Sequence, residues 1–338
     1  MQNKLKRATI TAVGHYAPDK ILSNADLEKM VDTTDEWIRT RTGILERRIL
    51  DKGATSDLGA PAVQMLLKNR GIGPEEIDVL IVATISPDMF FPPTACVIQE
   101  KIGAKRAWGF DLSAACSGFV FALVVGSQFI ETGAYKKVVV VGADKMSAIT
   151  DYSDRNNCIL FGDAGGAVLL EPSEDESVGI LDHILYCDGS GGKFLHMKAG
   201  GSAMPASHET VDNKMHYIYQ DGKAVFKVAV IGMADVSAEI MARNDLTGNE
   251  IDWLVPHQAN LRIIGACAER MGLDPSKVMI NIDRYGNTTA ATVPLCLSEW
   301  WHCGKLRKGQ TIVLSSFGAG YTWGSVLVKW SAEDVVKS

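Results

Sequence analysis

Hydrophobic residues along this chain gather into short, dense, β-branched runs, such as Val79-Leu-Ile-Val-Ala-Thr84, Lys137-Val-Val-Val-Val141 and Thr311-Ile-Val-Leu314. Between them lie apolar or amphipathic stretches of helical length. A run that is apolar at successive positions presents hydrophobic side chains to both faces of a pleated sheet, so these strands are expected to be covered on both sides. Strands of that kind alternating with helices predict an α/β fold with helices layered around buried sheets.

The pattern also repeats itself. Leu66 to Val82 resembles Ile240 to Pro256: each reads as a helix end, a turn, Glu-Ile-Asp and a strand. A second pair follows in the same order. Cys116 opens a predicted helix ending at Gly133 before a Val-rich strand, and Asn287 opens a stretch ending at Gly304 before Thr-Ile-Val-Leu, with the same spacing in both. Two such coincidences in one order predict two related halves, 1–174 and 175–338, with Cys116 and Asn287 placed symmetrically. The acidic, turn-rich Glu171-Pro-Ser-Glu-Asp-Glu-Ser177 reads as the link between them, and Asp188 to Asn213 as a long surface or lid loop.

With 338 residues and 46% hydrophobic content the chain can bury a large core, and a net charge of −6 argues against general nucleic-acid binding. The first residues lack the apolar stretch of a secretion signal. The longest apolar runs, Phe119 to Val125 and Val138 to Val141, fall far short of the ~20 residues that cross a bilayer. Seven scattered cysteines without a Cys-x-x-Cys pair predict a reduced compartment, no disulfide framework and no metal site. A cytoplasmic protein without membrane association is expected.

Ligand sites in α/β sheets lie beyond strand ends, which draws attention to four turns. In Asp111-Leu-Ser-Ala-Ala-Cys-Ser-Gly118 a strand passes through small residues into a helix near Cys116. A thiol at a helix start is expected to have a lowered pKa, and its small neighbours admit a substrate carbonyl to the backbone. A buried, inert cysteine is the bland alternative. His257 follows a strand in Val255-Pro-His-Gln-Ala-Asn260, where an imidazole can donate a hydrogen bond or exchange a proton; a structural histidine is the alternative. Asn287, in Tyr285-Gly-Asn-Thr-Thr-Ala-Ala-Thr-Val-Pro294, reads by itself as a helix cap, the commoner job for such an asparagine. A glycine turn, Phe317-Gly-Ala-Gly-Tyr-Thr-Trp-Gly324, permits close backbone approach but lacks the Gly-Lys-Ser/Thr of a phosphate loop.

Taken as an ordered set, these four motifs resemble the signatures of the β-ketoacyl-acyl-carrier-protein synthase III family, and the likeness runs from about Ala8 to Trp330. The resemblance implies the thiolase fold, five-layered αβαβα with two pseudo-duplicated halves, and a Cys116–His257–Asn287 centre. It implies an acyltransferase that carries an acyl group from acyl-coenzyme A on Cys116 and condenses it with malonyl-acyl carrier protein, with loss of carbon dioxide, to begin fatty acid synthesis. No tightly bound cofactor is implied; the coenzyme A thioester is the substrate. Backbone amides of Cys116 and of the turn at Gly318 and Ala319 would hold the oxyanion. Trp37 and Arg155 would sandwich the adenine, Arg41 and Thr42 would flank the coenzyme A mouth, Asn260 would bind the pantetheine arm and Phe226 would line the tunnel. Lys227 and Arg262 would dock the carrier protein, and Phe91 would cross a homodimer interface to close the partner's acyl pocket. Two departures are visible: Ala319 replaces the middle glycine of the family's usual Phe-Gly-Gly-Gly, and the 188–213 segment is longer than typical. Three rivals remain open: an acyltransferase relative with another reaction, a cysteine hydrolase using Cys116 and His257, and a silent acyl-binding module.

Overall fold

The computed structural model describes residues 6–334. Strands β1 (Arg7–Tyr16), β2 (Val79–Ala83), β3 (Trp108–Leu112), β4 (Val138–Asp144) and β5 (Ala164–Ser173) form one sheet in the order β1-β5-β4-β2-β3. β4, β2 and β3 run parallel, and β1 and β5 pair antiparallel. A second sheet, in the order β7-β8-β9-β6, is built from β6 (Gly179–Cys187), β7 (Trp253–Pro256), β8 (Thr311–Gly318) and β9 (Thr322–Lys329). Its β7 and β8 are parallel and the other pairings antiparallel. The apolar runs seen in the sequence are the central strands, and every residue of β2, β4 and β8 is buried.

Seven helices of the described residues frame the site: α1 (Asp35–Thr42), α2 (Ser56–Arg70), α3 (Thr94–Ile102), α4 (Gly118–Glu131), α5 (Gly222–Arg243), α6 (Leu261–Arg270) and α7 (Thr292–His302). α4 and α7 lie between the sheets and touch both, α2 and α3 cover the first sheet, and α5 with α6 covers the second. The order of layers is thus αβαβα. A helix with sheets on two sides must be apolar round nearly all its surface, which is why α4 carries the unbroken apolar run Phe119 to Val125. Phe119 and Leu123 share one core with Val293 and Leu297 of α7, Ile81 and Val140 of the first sheet, and Ile312 and Val328 of the second. No helix among the described residues is long and apolar enough to cross a membrane.

The structure departs from the sequence pattern in two places. The 188–213 segment is more ordered than a plain loop: it holds a helical turn Gly189–Lys193, a strand Leu195–Met197 paired with Ile218–Gln220, and a short helix His208–Asp212. Gly191, Ala199 and Thr210 within it are buried, and small or capping residues of that kind carry no apolar periodicity to announce the contact. The equal spacing that set Cys116 opposite Asn287 also misleads. Ala115 (φ 48°) opens a 3-10 turn leading into α4, and Thr289 (φ 50°) opens an equivalent turn leading into α7. Ala115 therefore corresponds to Thr289, Cys116 to Ala290, and Asn287 stands earlier in its turn. The spacing matches only because α7, with 11 residues, is shorter than α4, with 14.

Phe119 lies in the layer shared by both sheets and is fully buried. Phe119→Ala is expected to cost about 3–5 kcal/mol, read as a lower denaturant midpoint at an unchanged m-value.

Candidate active site

β3 delivers the chain to a turn of small residues in which Ala115 takes a left-handed backbone, a conformation unusual for any residue with a Cβ. Three side-chain-to-backbone hydrogen bonds hold it there against the second sheet. The Ser316 hydroxyl donates to the Cys116 carbonyl at 2.7 Å, Thr322 donates to the Ala114 carbonyl at 2.9 Å, and Ser117 donates to the Thr322 carbonyl at 2.9 Å. Gly318 abuts this turn so closely that a Cβ on it would lie 2.7 Å from the Cys116 nitrogen. Cys116 thus sits in a 3-10 turn, Ala115–Ser117, just before α4 rather than on its first residue.

The thiol is reachable from the tunnel but deep. Burial pushes its pKa up to about 12, and the Asp144 carboxylate adds to the rise; its own amide and the Asn287 side chain pull the other way. The lowered pKa expected from a helix start is absent because desolvation outweighs the backbone dipoles.

His257 continues from β7, its amide bonded to the Ser315 carbonyl at 2.8 Å. The residue is 1% exposed, and neither ring nitrogen has a hydrogen-bond partner among the described residues. Burial lowers its pKa to about 3, so the ring is neutral across the physiological range. The neighbouring Gln258 uses its whole carboxamide to fix the turn. It donates to the Pro256 and Met279 carbonyls at 2.9 and 3.0 Å and accepts from the Asn281 and Ile282 amides at 3.1 and 3.2 Å.

Asn287 follows Gly286 (φ 64°), whose missing Cβ would meet the Leu160 carbonyl at 2.7 Å. The Asn287 backbone is clasped on both sides: its amide donates to Leu160 at 2.9 Å and its carbonyl accepts from Gly162 at 3.0 Å. Its side-chain oxygen accepts from the Thr289 amide at 2.9 Å, two residues on, where the 3-10 turn begins, which leaves the amide nitrogen for the cavity that Cys116 also lines. The helix cap expected of Asn287 falls instead to Thr288, which has no side-chain cap bond, so the Asn287 oxygen steadies the turn two residues on rather than capping a helix.

Cys116, His257 and Asn287 line one cavity of about 1020 Å³, together with Gly318, Ala319, Trp37, Arg41, Thr42, Phe226, Asn260 and Arg262. Ala319 is not among the residues of left-handed φ; the following Gly320, at φ 138°, takes that burden. Thr42 donates to the Ile38 carbonyl and accepts from the Ile44 amide, so its hydroxyl is taken by α1. Asn260 caps α6 through the Arg262 amide and donates to the Arg41 carbonyl at 2.7 Å, joining the two sides of the mouth. Arg155 lies over the Trp37 ring at 5.2 Å and pairs with Asp32 at 3.6 Å, outside the cavity lining. Arg262 stacks on Phe226 at 4.5 Å. Lys227 does not line the cavity. Phe91 is 83% exposed beside the exposed Phe90 and Met89, away from the chain's own tunnel.

Several groups that hold the site carry no sequence signal of their own. Ser316, Thr322 and Ser117 look like ordinary strand or helix-start residues, and Asp144 and Thr289 like loop polar groups.

The layered double sheet defines the class as a thiolase-fold protein. Two family models match the chain, 3-oxoacyl-[acyl-carrier-protein] synthase III over residues 110–189 and its C-terminal model over residues 241–330. The chain is 60% identical over 326 residues to a β-ketoacyl-[acyl-carrier-protein] synthase III of Chlorobium phaeovibrioides, covering 96% of this chain and 99% of that one. It is 62% identical over 327 residues to that of Chlorobaculum tepidum, with coverage of 96% and 99%. Among solved structures, the synthase III of Aquifex aeolicus superposes with a TM-score of 0.88 at 41% identity over 96% of this chain and 100% of the other. That of Pseudomonas aeruginosa gives 0.90 at 36% identity over 98% and 100%. The chain belongs to the β-ketoacyl-acyl-carrier-protein synthase III family.

Two measurements check the electrostatics. Alkylation of Cys116 by iodoacetamide, followed by peptide mass mapping, is expected to rise about tenfold per pH unit with no plateau below about pH 10; a plateau near neutrality would reveal a stabilised thiolate. For His257 the folded pKa lies below the ordinary 6.5. The unfolded chain then takes up a proton that the buried ring refuses, so this contribution to stability is present above pH 6.5 and lost as pH falls toward 3. Between about pH 7 and about pH 4 the parent protein should lose more stability than His257→Phe.

Proposed function

We propose that the chain is a β-ketoacyl-acyl-carrier-protein synthase III that initiates fatty acid synthesis by decarboxylative condensation of an acyl-coenzyme A with malonyl-acyl carrier protein. The observation that carries this reading is the convergence, in one deep tunnel, of a cysteine with two neutral hydrogen-bond donors, His257 and Asn287. In the first step the Cys116 sulfur attacks the thioester carbonyl, the carbon–sulfur bond to coenzyme A breaks, and the thiol proton leaves with the coenzyme A sulfur. In the second, the bond between the malonyl α-carbon and its carboxylate breaks, carbon dioxide departs, and the electron pair moves onto the thioester oxygen. Neutral N–H groups of His257 and Asn287 suit that developing oxyanion, and a donor so placed in a water-poor site contributes about 3–4 kcal/mol to the transition state. The enolate carbon then attacks the acyl-Cys116 carbonyl. The tetrahedral oxyanion rests on the amides of Cys116 and of the Gly318–Ala319 turn; its collapse breaks the carbon–sulfur bond, releases the β-ketoacyl product and leaves the Cys116 thiolate, which takes one proton from water to restore the thiol. Acylation followed by condensation divides one difficult step into two.

The same reading assigns the mouth to coenzyme A: Trp37 and Arg155 to the adenine, Arg41 and Thr42 to the entrance, Asn260 and Phe226 to the arm. For Arg155 and Trp37, which now stack on each other, it requires the pair to part around the base. Lys227 and Arg262 would receive the acidic carrier protein. Exposed Phe90 and Phe91 favour a homodimer in which Phe91 enters the partner's pocket, since large apolar side chains seldom face water in such a group. We further propose the division into halves 1–174 and 175–338, a cytoplasmic location, and operation without a tightly bound cofactor.

Labelled acetyl- and longer acyl-coenzyme A esters, with intact and peptide mass spectrometry, test the first step. An adduct is expected on Cys116 and none on Cys116→Ala. Asn287→Ala should still acylate yet release carbon dioxide from malonyl-acyl carrier protein about 10²–10³-fold more slowly. Free acid produced without malonyl thioester would instead mark a hydrolase.

A further inference from the structure

The Asp144 carboxylate, at the end of β4, is completely buried, and the groups that touch it are all hydrogen-bond donors without positive charge. One oxygen accepts from Thr84 Oγ1 at 2.9 Å, the Ile85 amide at 2.8 Å, the Ser86 amide at 3.1 Å and Ser86 Oγ at 2.9 Å. The other accepts from Thr289 Oγ1 and from the Ala290 amide at 3.3 Å. Burial pushes the carboxyl's pKa up, and these donors, three of them backbone amides that can only donate, pull against it. A buried carboxylate without a cation is costly and persists where hydrogen bonds compensate it. This one joins the 84–86 turn of the first sheet to the turn that follows Asn287.

Thr289 makes that link informative. It is 1% exposed and β-branched, yet holds φ at 50°. Such a residue keeps this backbone only when its surroundings over-determine it. Two things do so here. Asp144 grips the hydroxyl, and Gly142 presses on the next peptide so tightly that a Cβ there would lie 2.1 Å from the Ala290 carbonyl oxygen. With the backbone so fixed, the Thr289 amide points at the Asn287 side-chain oxygen at 2.9 Å. A carboxamide whose oxygen is taken must present its nitrogen to the other side, and Asn287 lines the same cavity as Cys116.

We propose that Asp144 and Thr289 are positioning residues for the condensation step: Asp144 holds the Thr289 hydroxyl, and the Thr289 amide orients the Asn287 carboxamide so that its N–H faces the reacting thioester. The inference rests on the reading of Asn287 as the donor for decarboxylation. It predicts a selective defect. Acylation of Cys116 draws on the Asn287 N–H only as the smallest of the influences on the thiol, so it should be largely spared, whereas carbon dioxide release should suffer, because a donor displaced by about 1 Å loses on the order of 10²-fold.

Thr289→Val and Thr289→Ala both delete the hydroxyl while keeping the amide, and Thr289→Ser keeps both; each would be compared with the parent in three assays. These are Cys116 acylation by acetyl-coenzyme A, carbon dioxide release from malonyl-acyl carrier protein, and the thermal midpoint. The expected result is acylation within about threefold of the parent, carbon dioxide release lowered about 10- to 100-fold in the Val and Ala variants, and recovery in the Ser variant. Asp144→Asn should share the selective defect. Parent-level carbon dioxide release by either hydroxyl-free variant overturns the proposal, as does an equal loss of both half-reactions that follows the fall in thermal midpoint. A parent protein that acylates but releases no carbon dioxide would overturn the proposed function instead, so the two failures are distinguishable.

Discussion

The site depends on a direct seam between the two sheets, made where hydroxyls of β8, β9 and the Cys116 turn bond to backbone carbonyls across the boundary. Apolar packing between the layers is larger in total but non-directional; α4 and α7 could slide by a fraction of an ångström with little change in buried area. The seam removes that freedom. Each of its hydroxyls is buried where water cannot replace a lost partner, so breaking one contact leaves a polar group unsatisfied at about 1–3 kcal/mol. Glycine at 318 and 142 is the steric counterpart, because backbone meets backbone at both positions. The unusual backbone of Ala115 and Thr289 follows from the same closeness.

The electrostatic character follows from depth. Burial keeps the Cys116 thiol protonated and the His257 ring neutral. Asp144, the one carboxylate that acts on the thiol, is enclosed by hydrogen-bond donors and does not line the tunnel. The tunnel therefore offers dipoles rather than charges at its inner end. That suits chemistry in which an uncharged thioester develops an oxyanion only transiently, since fixed donors need no reorganisation when the charge appears.

Much of this was legible in the sequence. Val79–Ala83, Val138–Val141 and Thr311–Leu314 announced buried strands because a strand covered on both faces has no polar positions to interrupt it. The turns at Cys116, His257 and Asn287 stood out because small residues, glycine and polar groups broke those runs. What could not be read is long-range or a matter of degree. Ser316 and Thr322 meet residues about two hundred positions away, and in a strand they resemble any β-former. The thiol pKa turned on depth, which no local motif encodes. The symmetry of Cys116 and Asn287 failed because a shorter α7 compensated for an offset in the turn, a coincidence visible only once the backbone angles are known. The 188–213 segment hid its strand because a three-residue edge pair leaves almost no periodicity.

The seam grips Cys116 by its carbonyl oxygen and Ala114 by its carbonyl oxygen, never by a side chain at position 116. The cradle is in that sense blind to its occupant. Over evolutionary time the reactive atom can be exchanged, or the group silenced, without dismantling the support beneath it, so a single architecture is free to diversify in chemistry while its frame stays constant.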